Sequence, residues 1–165
     1  MQNALTKSKP YTSQQSNTRR EAASLKIIVF QVGDLNLAMP AKNVYRVLKT
    51  PAYGGRLNSV GIVHVGDRVI SVLDLYWRLF QSSITNQGSQ KLHLVVAENK
   101  EGELYGIPTT AVPALIRVPL DSMQVLPDSY RHTNILEMAT HYCHVSGTEE
   151  QSMTIFLLDI ERLMV

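Results

Sequence analysis

LAMPAKNVYRVLK, residues 37–49, has a near counterpart later in the chain, YGIPTTAVPALIR, residues 105–117. The two stretches lie 68 residues apart. Each has an apolar run ending at a proline, a short polar or small step, a valine, and a segment that ends in a basic residue. Proline cannot donate a hydrogen bond to a β-ladder, so each apolar run is predicted to be a strand that stops at its proline. The chain is therefore predicted to hold two copies of one β unit.

A second pair of similar stretches supports the duplication. VISVLDLYWRLF (69–80) and TIFLLDIERLM (154–164) each contain a Val-, Ile- and Leu-rich strand that ends at an aspartate, Asp74 or Asp159. An aspartate that starts a helical turn accepts hydrogen bonds from backbone N–H groups and stabilises the turn by about 1 kcal/mol. A paired-carboxylate acid site is the alternative, and it requires the two carboxylates close together at a cleft. The flanking leucine and isoleucine residues favour helix caps.

Short apolar segments separated by turn residues fill both copies, which predicts an all-β fold. Each copy is expected to run as strand, turn, strand ending at proline, short strand, hairpin, aspartate and helical turn. The first hairpin is predicted around Gly66–Asp67. Two small closed barrels fit this pattern because closure removes exposed strand edges. Each copy alone would have a marginal core, so the two are expected to share a buried seam.

The composition divides the chain into a leader and two copies. Residues 1–24 are rich in Ser, Thr, Gln and Asn, and their four basic residues and one acidic residue give +3, whereas the whole chain is +2. Such a segment cannot bury enough apolar surface to offset its ordering entropy, so it is predicted to be a disordered basic leader. The polar stretch 81–90 is predicted to link residues 25–80, mainly the first barrel, to residues 91–165, mainly the second. A strand or helix exchanged between them is compatible with the pattern.

Several classes of protein and site fit poorly. Cys143 is the only cysteine, so no internal disulfide is expected, and the N-terminus lacks the roughly 7–15-residue apolar stretch of a secretory signal. No apolar run approaches the roughly 18 residues of a membrane span, which predicts a soluble cytoplasmic protein. In HYCH, strand alternation places His144 opposite His141 and Cys143, whereas zinc requires four converging ligands. We therefore expect no metal and no cofactor.

Four segments, in this order and with these gaps, resemble the CheW family, the adaptors of bacterial chemosensory arrays. They are LAMPAKNVYRV at 37–47, GIVHVGDRVISVLDL at 61–75, YGIPTTAVPALIRVP at 105–119 and LLDIERLM at 157–164. The resemblance runs from about residue 25 to the end and implies two packed five-stranded SH3-like barrels without enzymatic activity. It further implies binding to the regulatory domain of a CheA-type histidine kinase. The seam would receive the cytoplasmic tip of a methyl-accepting receptor, which recruits the adaptor to membrane arrays. Contacts with itself or with other CheW-like proteins are compatible with the same resemblance.

Two departures from the family pattern concern surfaces that members use for partners. Where members commonly carry Asn-Leu-Arg-Gly, this chain has HVGD at 64–67, so Gly66 replaces the arginine and a base follows at Arg68. Where members often carry an acid at the end of the first phrase, this chain has Arg46. These differences imply specialised partners, such as those of a pilus-motility or light-sensing array rather than a flagellar one.

An adaptor is expected to bind through apolar groups that a barrel has no other reason to expose. The predicted partner-binding residues are Val44, Tyr45, Arg46 and Val47 after the first proline, Ile62, His64, Gly66 and Arg68 in the first hairpin, and Val112, Leu115 and Ile116 in the second copy. Valine and isoleucine are among the most commonly buried residues, so core packing is the alternative for each of them. Tyr45 and Arg46 are the two expected to be exposed.

Two other functions are compatible with parts of the sequence. A nucleic-acid-binding small barrel could use the basic leader, with binding that weakens steeply with salt and is lost without residues 1–24. No aromatic residues interleave with the leader's bases to stack nucleotides, so we expect no nucleic-acid partner. A hydrolase using Asp74, Asp159 or Cys143 would need a deep polar cleft between the barrels.

Overall fold

The computed structural model describes residues 23–49, 60–82, 92–130, 137–147 and 151–163. Of the predicted leader, residues 1–24, only the last two residues fall within these ranges. Of the predicted linker, residues 81–90, only the first two do.

The described residues form eleven strands and two short helices, which confirms the all-β class. The strands are β1 (Ser24–Val32), β2 (Leu35–Pro40), β3 (Val44–Lys49), β4 (Val60–Val65), β5 (Arg68–Leu73), β6 (His93–Glu98), β7 (Leu104–Thr109), β8 (Ala114–Pro119), β9 (Gln124–Val125), β10 (Ala139–Ser146) and β11 (Ser152–Leu158). The helices are α1 (Leu75–Phe80) and α2 (Ile160–Leu163), and 3-10 turns cover Ala41–Asn43, Leu120–Ser122 and Asp128–Tyr130. Within the described ranges, no helix is long and apolar enough to span a membrane.

The strands are arranged in two sheets that repeat one order. The first barrel has five strands in the order β3-β6-β7-β5-β4, and the second has six in the order β8-β1-β2-β11-β10-β9. The orders match strand for strand once β9 is set aside. The prediction of five strands is therefore right for the first barrel, whereas the second gains the two-residue strand β9, which pairs with β10 through His141–Val125 and Tyr142–Gln124. A strand of two residues is too short to show an alternating apolar pattern in the sequence.

The two copies exchange strands. β1 and β2 of the first copy lie in the second barrel, and β6 and β7 of the second copy lie in the first. Each barrel therefore takes two strands from one copy and its remaining strands from the other. The crossings follow β2 and β7, which are the two strands of the similar stretches at 37–49 and 105–117. The repeated stretch is thus the place where the chain passes from one barrel to the other.

The strand register shows that the repeated stretches are structurally equivalent. Leu48 and Ile116 lie 68 residues apart, and they pair with Leu94 of β6 and Ile27 of β1. On their other sides Leu94 and Ile27 pair with the proline of β7 and the proline of β2, which are also 68 residues apart. Equal spacing in the sequence therefore corresponds to equal position in the sheets.

Three apolar clusters stabilise this arrangement. The interior of the first barrel contains Ile70, Leu94, Val96 and Leu104. The interior of the second barrel contains Ile27, Ala38, Val118, Cys143, Ile155 and Leu157. The largest cluster draws on both sheets and both helices, with Phe30, Met39, Leu75, Ile107 and Ile160 among its members. This third cluster is the buried seam that the sequence predicts.

Each sequence copy ends in a short helix that is capped by the predicted aspartate. The Asp74 carboxylate accepts a hydrogen bond from the backbone N–H of Trp77 at 3.0 Å, and that of Asp159 accepts one from Glu161 at 3.0 Å. The interpretation of both residues as caps is confirmed. The two helices also meet, because the Arg78 guanidinium donates to the carbonyl of Leu163 at 2.9 Å.

Candidate functional site

Tyr45 stands at an irregularity of an edge strand. The pairing of β3 with β6 shifts register between Val44 and Arg46, so Tyr45 has no partner residue opposite it. A bulge of this kind bends the strand and re-aims a side chain. Tyr45 is 47% exposed and Arg46 is exposed as well, as the sequence predicts.

Two guanidinium groups lie against the Tyr45 ring. The distance from the ring centre is 5.8 Å to Cζ of Arg46 and 5.5 Å to Cζ of Arg68. Both distances fall within the roughly 6 Å over which a cation is attracted to the face of an aromatic ring. Arg68 begins β5 in the β4–β5 hairpin, at the opposite edge of the sheet from β3. The contact between the two edges shows that the sheet is rolled up.

A cavity of about 230 Å³ opens beneath these side chains. Its rim, called here the barrel mouth, consists of Tyr45, Arg46, Gly66, Asp67 and Arg68. Its floor is apolar and consists of Leu48, Val65, Ile70, Val96 and Leu104. The floor belongs to the interior cluster of the first barrel, so the mouth leads directly into that core.

Gly66 allows the tight turn on one side of the barrel mouth. Its φ is +63°, in the left-handed region that residues with a side chain rarely adopt. A Cβ atom at Gly66 would meet nothing within 4 Å, so the backbone angle and not crowding favours glycine.

A second exposed surface lies on the outer face of the β4–β5 hairpin. Ile62 is 66% exposed and Val69 is 54% exposed, and His64, which pairs with Val69, is exposed beside them. We call Ile62, His64 and Val69 the hairpin face. It continues the side of the sheet that covers the seam, because Ser71 on that side pairs with Tyr105 of the seam cluster. Val69 is not among the predicted residues, although its pairing with His64 follows from a two-residue turn.

The other predicted residues lie in different surroundings. Val47 is exposed on β3 at the position that matches Leu115 on β8, which is 60% exposed. Val112 is 73% exposed, but it precedes β8 on the second barrel and not at the barrel mouth. Val44 and Ile116 are half-buried and pack against the seam and the second barrel's interior, respectively. The structure thus assembles Tyr45, Arg46, Gly66 and Arg68 into one site and leaves the remaining residues elsewhere.

Several exposed apolar side chains have no counterpart among the predicted residues. They are Trp77, Phe80, Leu120, Val125 and Tyr130. Phe80 is partly engaged, because its ring lies over Gly33 and 4.9 Å from the ring of Tyr76. Trp77 and Phe80 lie in the apolar helical segment LYWRLF, so the sequence offers no signal for their exposure. Leu120 and Tyr130 are flanked by Pro, Asp and Ser residues, which are typical of exposed turns.

The residues considered for metal or nucleophilic chemistry are held apart. Cys143 lies inside the second barrel, where burial raises the pKa of its thiol. His144 is exposed on the other side of β10, with its Nδ1 atom 3.0 Å from the hydroxyl oxygen of Thr154. No group of three His, Cys, Asp or Glu side chains within the described ranges is placed to hold a metal ion.

Comparison with known proteins now assigns the family. The family model for the CheW-like domain matches residues 26–165. The chain belongs to the CheW-like family. Its structure is similar to that of the scaffolding protein TtCheW from Thermoanaerobacter tengcongensis, with a TM-score of 0.66 and 18% identity over 89% of this chain and 92% of that chain. At that identity the similarity shows the fold alone. No match is found among curated proteins.

Membership in the family confirms the resemblance seen in the sequence. The CheW-like chain has the two β-domains of a chemotaxis scaffold, and its general role is that of a coupling adaptor in chemosensory signalling.

Proposed function

We propose that this CheW-like protein is a non-enzymatic adaptor that holds a CheA-type histidine kinase to methyl-accepting receptors. A shift in the receptor then changes kinase activity because both partners are bound to one rigid two-barrel body. The protein acts in the cytoplasm and is recruited to membrane receptor arrays through these contacts.

The observation that best supports the proposal is the barrel mouth, which receives the kinase regulatory domain. Tyrosine and arginine are enriched among the few residues that carry most of the binding energy in interfaces. Here one tyrosine and two arginines surround an open apolar cavity at the end of a barrel. A lone barrel gains nothing from exposing this combination, whereas a partner could bury all three side chains at once.

The kinase contact is tested by titration calorimetry of the full chain with the kinase regulatory domain. Tyr45→Ala is expected to weaken the Kd by at least tenfold, about 1.4 kcal/mol, because the ring organises both guanidinium groups. Val125→Ala is the matched control, since Val125 is exposed but lies on the second barrel. Equal affinity for both variants would remove the barrel mouth from the kinase interface, and no binding by the wild type would reject the proposed role.

The receptor contact is proposed at the hairpin face and the adjoining seam. A receptor tip is a helical hairpin, and helices dock with an apolar stripe laid on an apolar surface. Ile62 and Val69 supply such a surface, and they continue the side of the sheet that covers the seam.

The receptor contact is tested with a soluble receptor-tip fragment. Ile62→Glu places a charge in the middle of the hairpin face and is expected to abolish measurable binding while leaving kinase binding intact. Val125→Glu introduces the same charge at a comparably exposed position on the second barrel. If both variants bind the fragment like the wild type, the receptor lies elsewhere.

The identity of the array is a separate part of the proposal. Arg46 and Gly66 replace residue types that are common in the family, and both lie in the barrel mouth. We expect partners from a pilus-motility or light-sensing array. The expectation fails if this chain couples a flagellar receptor to its kinase as well as a typical family member does.

A further inference from the structure

We infer that the barrel mouth recognises an apolar side chain flanked by carboxylates on the partner protein. This inference rests on the proposed function, because it specifies the chemistry of the surface that the kinase regulatory domain would present.

The two arginine side chains at the rim are not held in ion pairs within the described part of the chain. Neither Arg46 nor Arg68 forms an ion pair with a carboxylate of the described residues. The ion pair that forms there joins Arg162 to Asp159. Arg68 instead donates to the backbone carbonyl of Gly102 at a long 3.4 Å. The rim carries two guanidinium groups and one carboxylate, that of Asp67, so it has a net positive charge. Guanidinium groups bind carboxylates through short, charge-assisted hydrogen bonds.

The floor of the cavity requires an apolar occupant. All five floor residues are aliphatic, and they belong to the first barrel's interior cluster or pack against it. A charged group placed on this floor would lose its hydration without gaining a partner. An apolar side chain would bury its surface there, while carboxylates on either side of it would remain at the level of the arginines.

The volume favours one side chain over a small molecule. The cavity measures about 230 Å³, below the roughly 300–1,000 Å³ that is usual for ligand pockets. Leucine, methionine or phenylalanine from a protein surface would occupy it, and the tyrosine and arginines would surround that anchor and exclude water. Such an arrangement of a central anchor within an excluding ring is common in protein interfaces.

The second barrel lacks this combination. By the repeat spacings, Tyr45, Arg46 and Arg68 correspond to Pro113, Ala114 and Met153. No cation is present at any of these three positions, so acid recognition is expected at one barrel only. The surface of the second barrel therefore provides the control within the same molecule.

The inference is tested by NMR titration of the full chain with capped pentapeptides. The probe is Glu-Asp-Leu-Asp-Glu, and the controls are Lys-Lys-Leu-Lys-Lys and Glu-Asp-Ser-Asp-Glu. The expected result is that only the probe shifts the backbone amide resonances of Tyr45, Arg46, Gly66 and Arg68. Equal responses to the probe and either control, or shifts that map outside the barrel mouth, would overturn the inference.

Charge-reversal variants sharpen the test. Arg46→Glu combined with Arg68→Glu is expected to weaken probe binding at least tenfold. Arg117→Glu changes the charge of an exposed residue on β8 in the second barrel and is expected to have no such effect. Equal weakening by both would show that net charge alone is sensed and would reject a specific site. Heteronuclear spectra of each variant establish that it is folded.

Failure of this inference is distinguishable from failure of the proposed function. If the kinase regulatory domain binds the wild type and the double charge reversal equally well, the acidic-anchor chemistry is wrong and the adaptor role stands. If the pentapeptide maps to the barrel mouth but the kinase does not bind, the mouth chemistry stands and the kinase assignment is wrong.

Discussion

The two barrels share a strand order but differ at their open ends. The first presents Tyr45, Arg46 and Arg68 around an apolar cavity, whereas the matching residues of the second copy are uncharged. The residues that both copies keep have structural roles: a proline at each crossing and an aspartate that caps each helix. The comparison separates residues that build the fold from residues that are available for binding.

The outer faces of the two matching hairpins differ in the same way. In the second barrel, His144 lies within hydrogen-bonding distance of Thr154, and Tyr142 donates to the side chain of Gln124 on β9 at 2.5 Å. Tyr142 also packs against the seam. In the first barrel, Ile62 and Val69 have no such cover among the described residues and stay more than half exposed. The outward side chains of the second hairpin find partners within the second barrel, whereas the first hairpin leaves apolar surface that a partner protein could cover.

The largest expected effect concerns the exchange of strands between the copies. A chain cut inside residues 81–90 gives two fragments, and each lacks strands that both barrels need. Each fragment alone is expected to be unfolded, and an equimolar mixture is expected to recover the folded barrels. Circular dichroism and amide dispersion in NMR spectra measure the recovery.

The result that would contradict this expectation is a fragment that folds alone with full amide dispersion. Such a fragment would mean that one sequence copy closes its own barrel, so the exchange would not be needed for stability. A fragment pair rejoined by a flexible linker provides the positive control.

The next largest effect compares the two barrel interiors. Ile70 and Ile155 occupy matching positions and are each almost fully buried, one in each interior. Replacing a buried isoleucine by alanine costs roughly 2–5 kcal/mol, so both variants are expected to lose this much stability in urea unfolding. Because the barrels share strands and a seam, each variant is expected to unfold in one transition. Two separate transitions in either variant would show that the barrels unfold independently.

Much of the fold could be predicted because it repeats in the sequence. Alternating apolar residues located most of the strands, and the prolines and glycines located the strand ends. The sequence is compatible with an exchange but does not show which strands exchange. A β2 that precedes a crossing has the same local pattern as a β2 that stays in the barrel of its own copy. Only long-range pairing, such as that of β1 with β8, distinguishes these two arrangements.

The candidate site could be predicted in part. Arg46 and Gly66 stand out as departures from the family pattern, and Tyr45 is expected to be exposed beside Arg46. That Arg68 approaches Tyr45 from the opposite edge depends on the rolling of the sheet, which no local pattern contains. The exposure of Val69 depends likewise on what covers a hairpin, and the two hairpins differ in this respect.

A smaller effect compares the two helix caps. Asp74 is only 5% exposed, so water has little access to the Trp77 N–H group once the carboxylate that accepts from it is removed. Asp74→Ala is expected to cost about 1 kcal/mol, while Asp159→Ala, at a more exposed cap, is expected to lie near the lower limit of about 0.5 kcal/mol. Urea unfolding of both variants measures the difference. A larger loss from the second helix would reverse this ranking.

The pH dependence of stability shows how burial of the Asp74 carboxylate affects the folded state. Burial raises the pKa of the Asp74 carboxyl, although bonds from the Trp77 and Tyr76 backbones oppose the shift. A raised pKa in the folded state means that stability is lost as pH rises through that pKa, because folding disfavours the charged form. Asp74→Asn keeps an acceptor without the charge, so its stability relative to the wild type is expected to improve from pH 3 to pH 7. A constant difference would show that burial of the charge is unimportant.

The smallest effect concerns a hydrogen-bonded acid found in one barrel only. The Tyr105 hydroxyl donates to Glu103 at 2.6 Å, and the Asn99 amide donates to the same carboxylate at 2.9 Å. By the repeat spacing, Glu103 and Tyr105 correspond to Leu35 and Leu37, so β2 has no equivalent pair. The phenol bond first, and the amide second, lower the pKa of Glu103, and the bond to Glu103 raises the pKa of Tyr105 to about 12.

The sign of this linkage can be tested with a single hydroxyl group. A lowered pKa favours the folded state above the unfolded pKa of about 4.3, and this contribution is lost as pH falls through the folded value. Tyr105→Phe removes the larger cause, so the midpoint of the Glu103 carboxyl carbon resonance is expected to move upward in an NMR titration. Tyr142→Phe is the matched control, because its hydroxyl donates to an amide and not to an acid. If Tyr105→Phe leaves the midpoint unchanged, the hydrogen bond from the Asn99 amide alone lowers the pKa of Glu103, and the Tyr105 hydroxyl has no part in it.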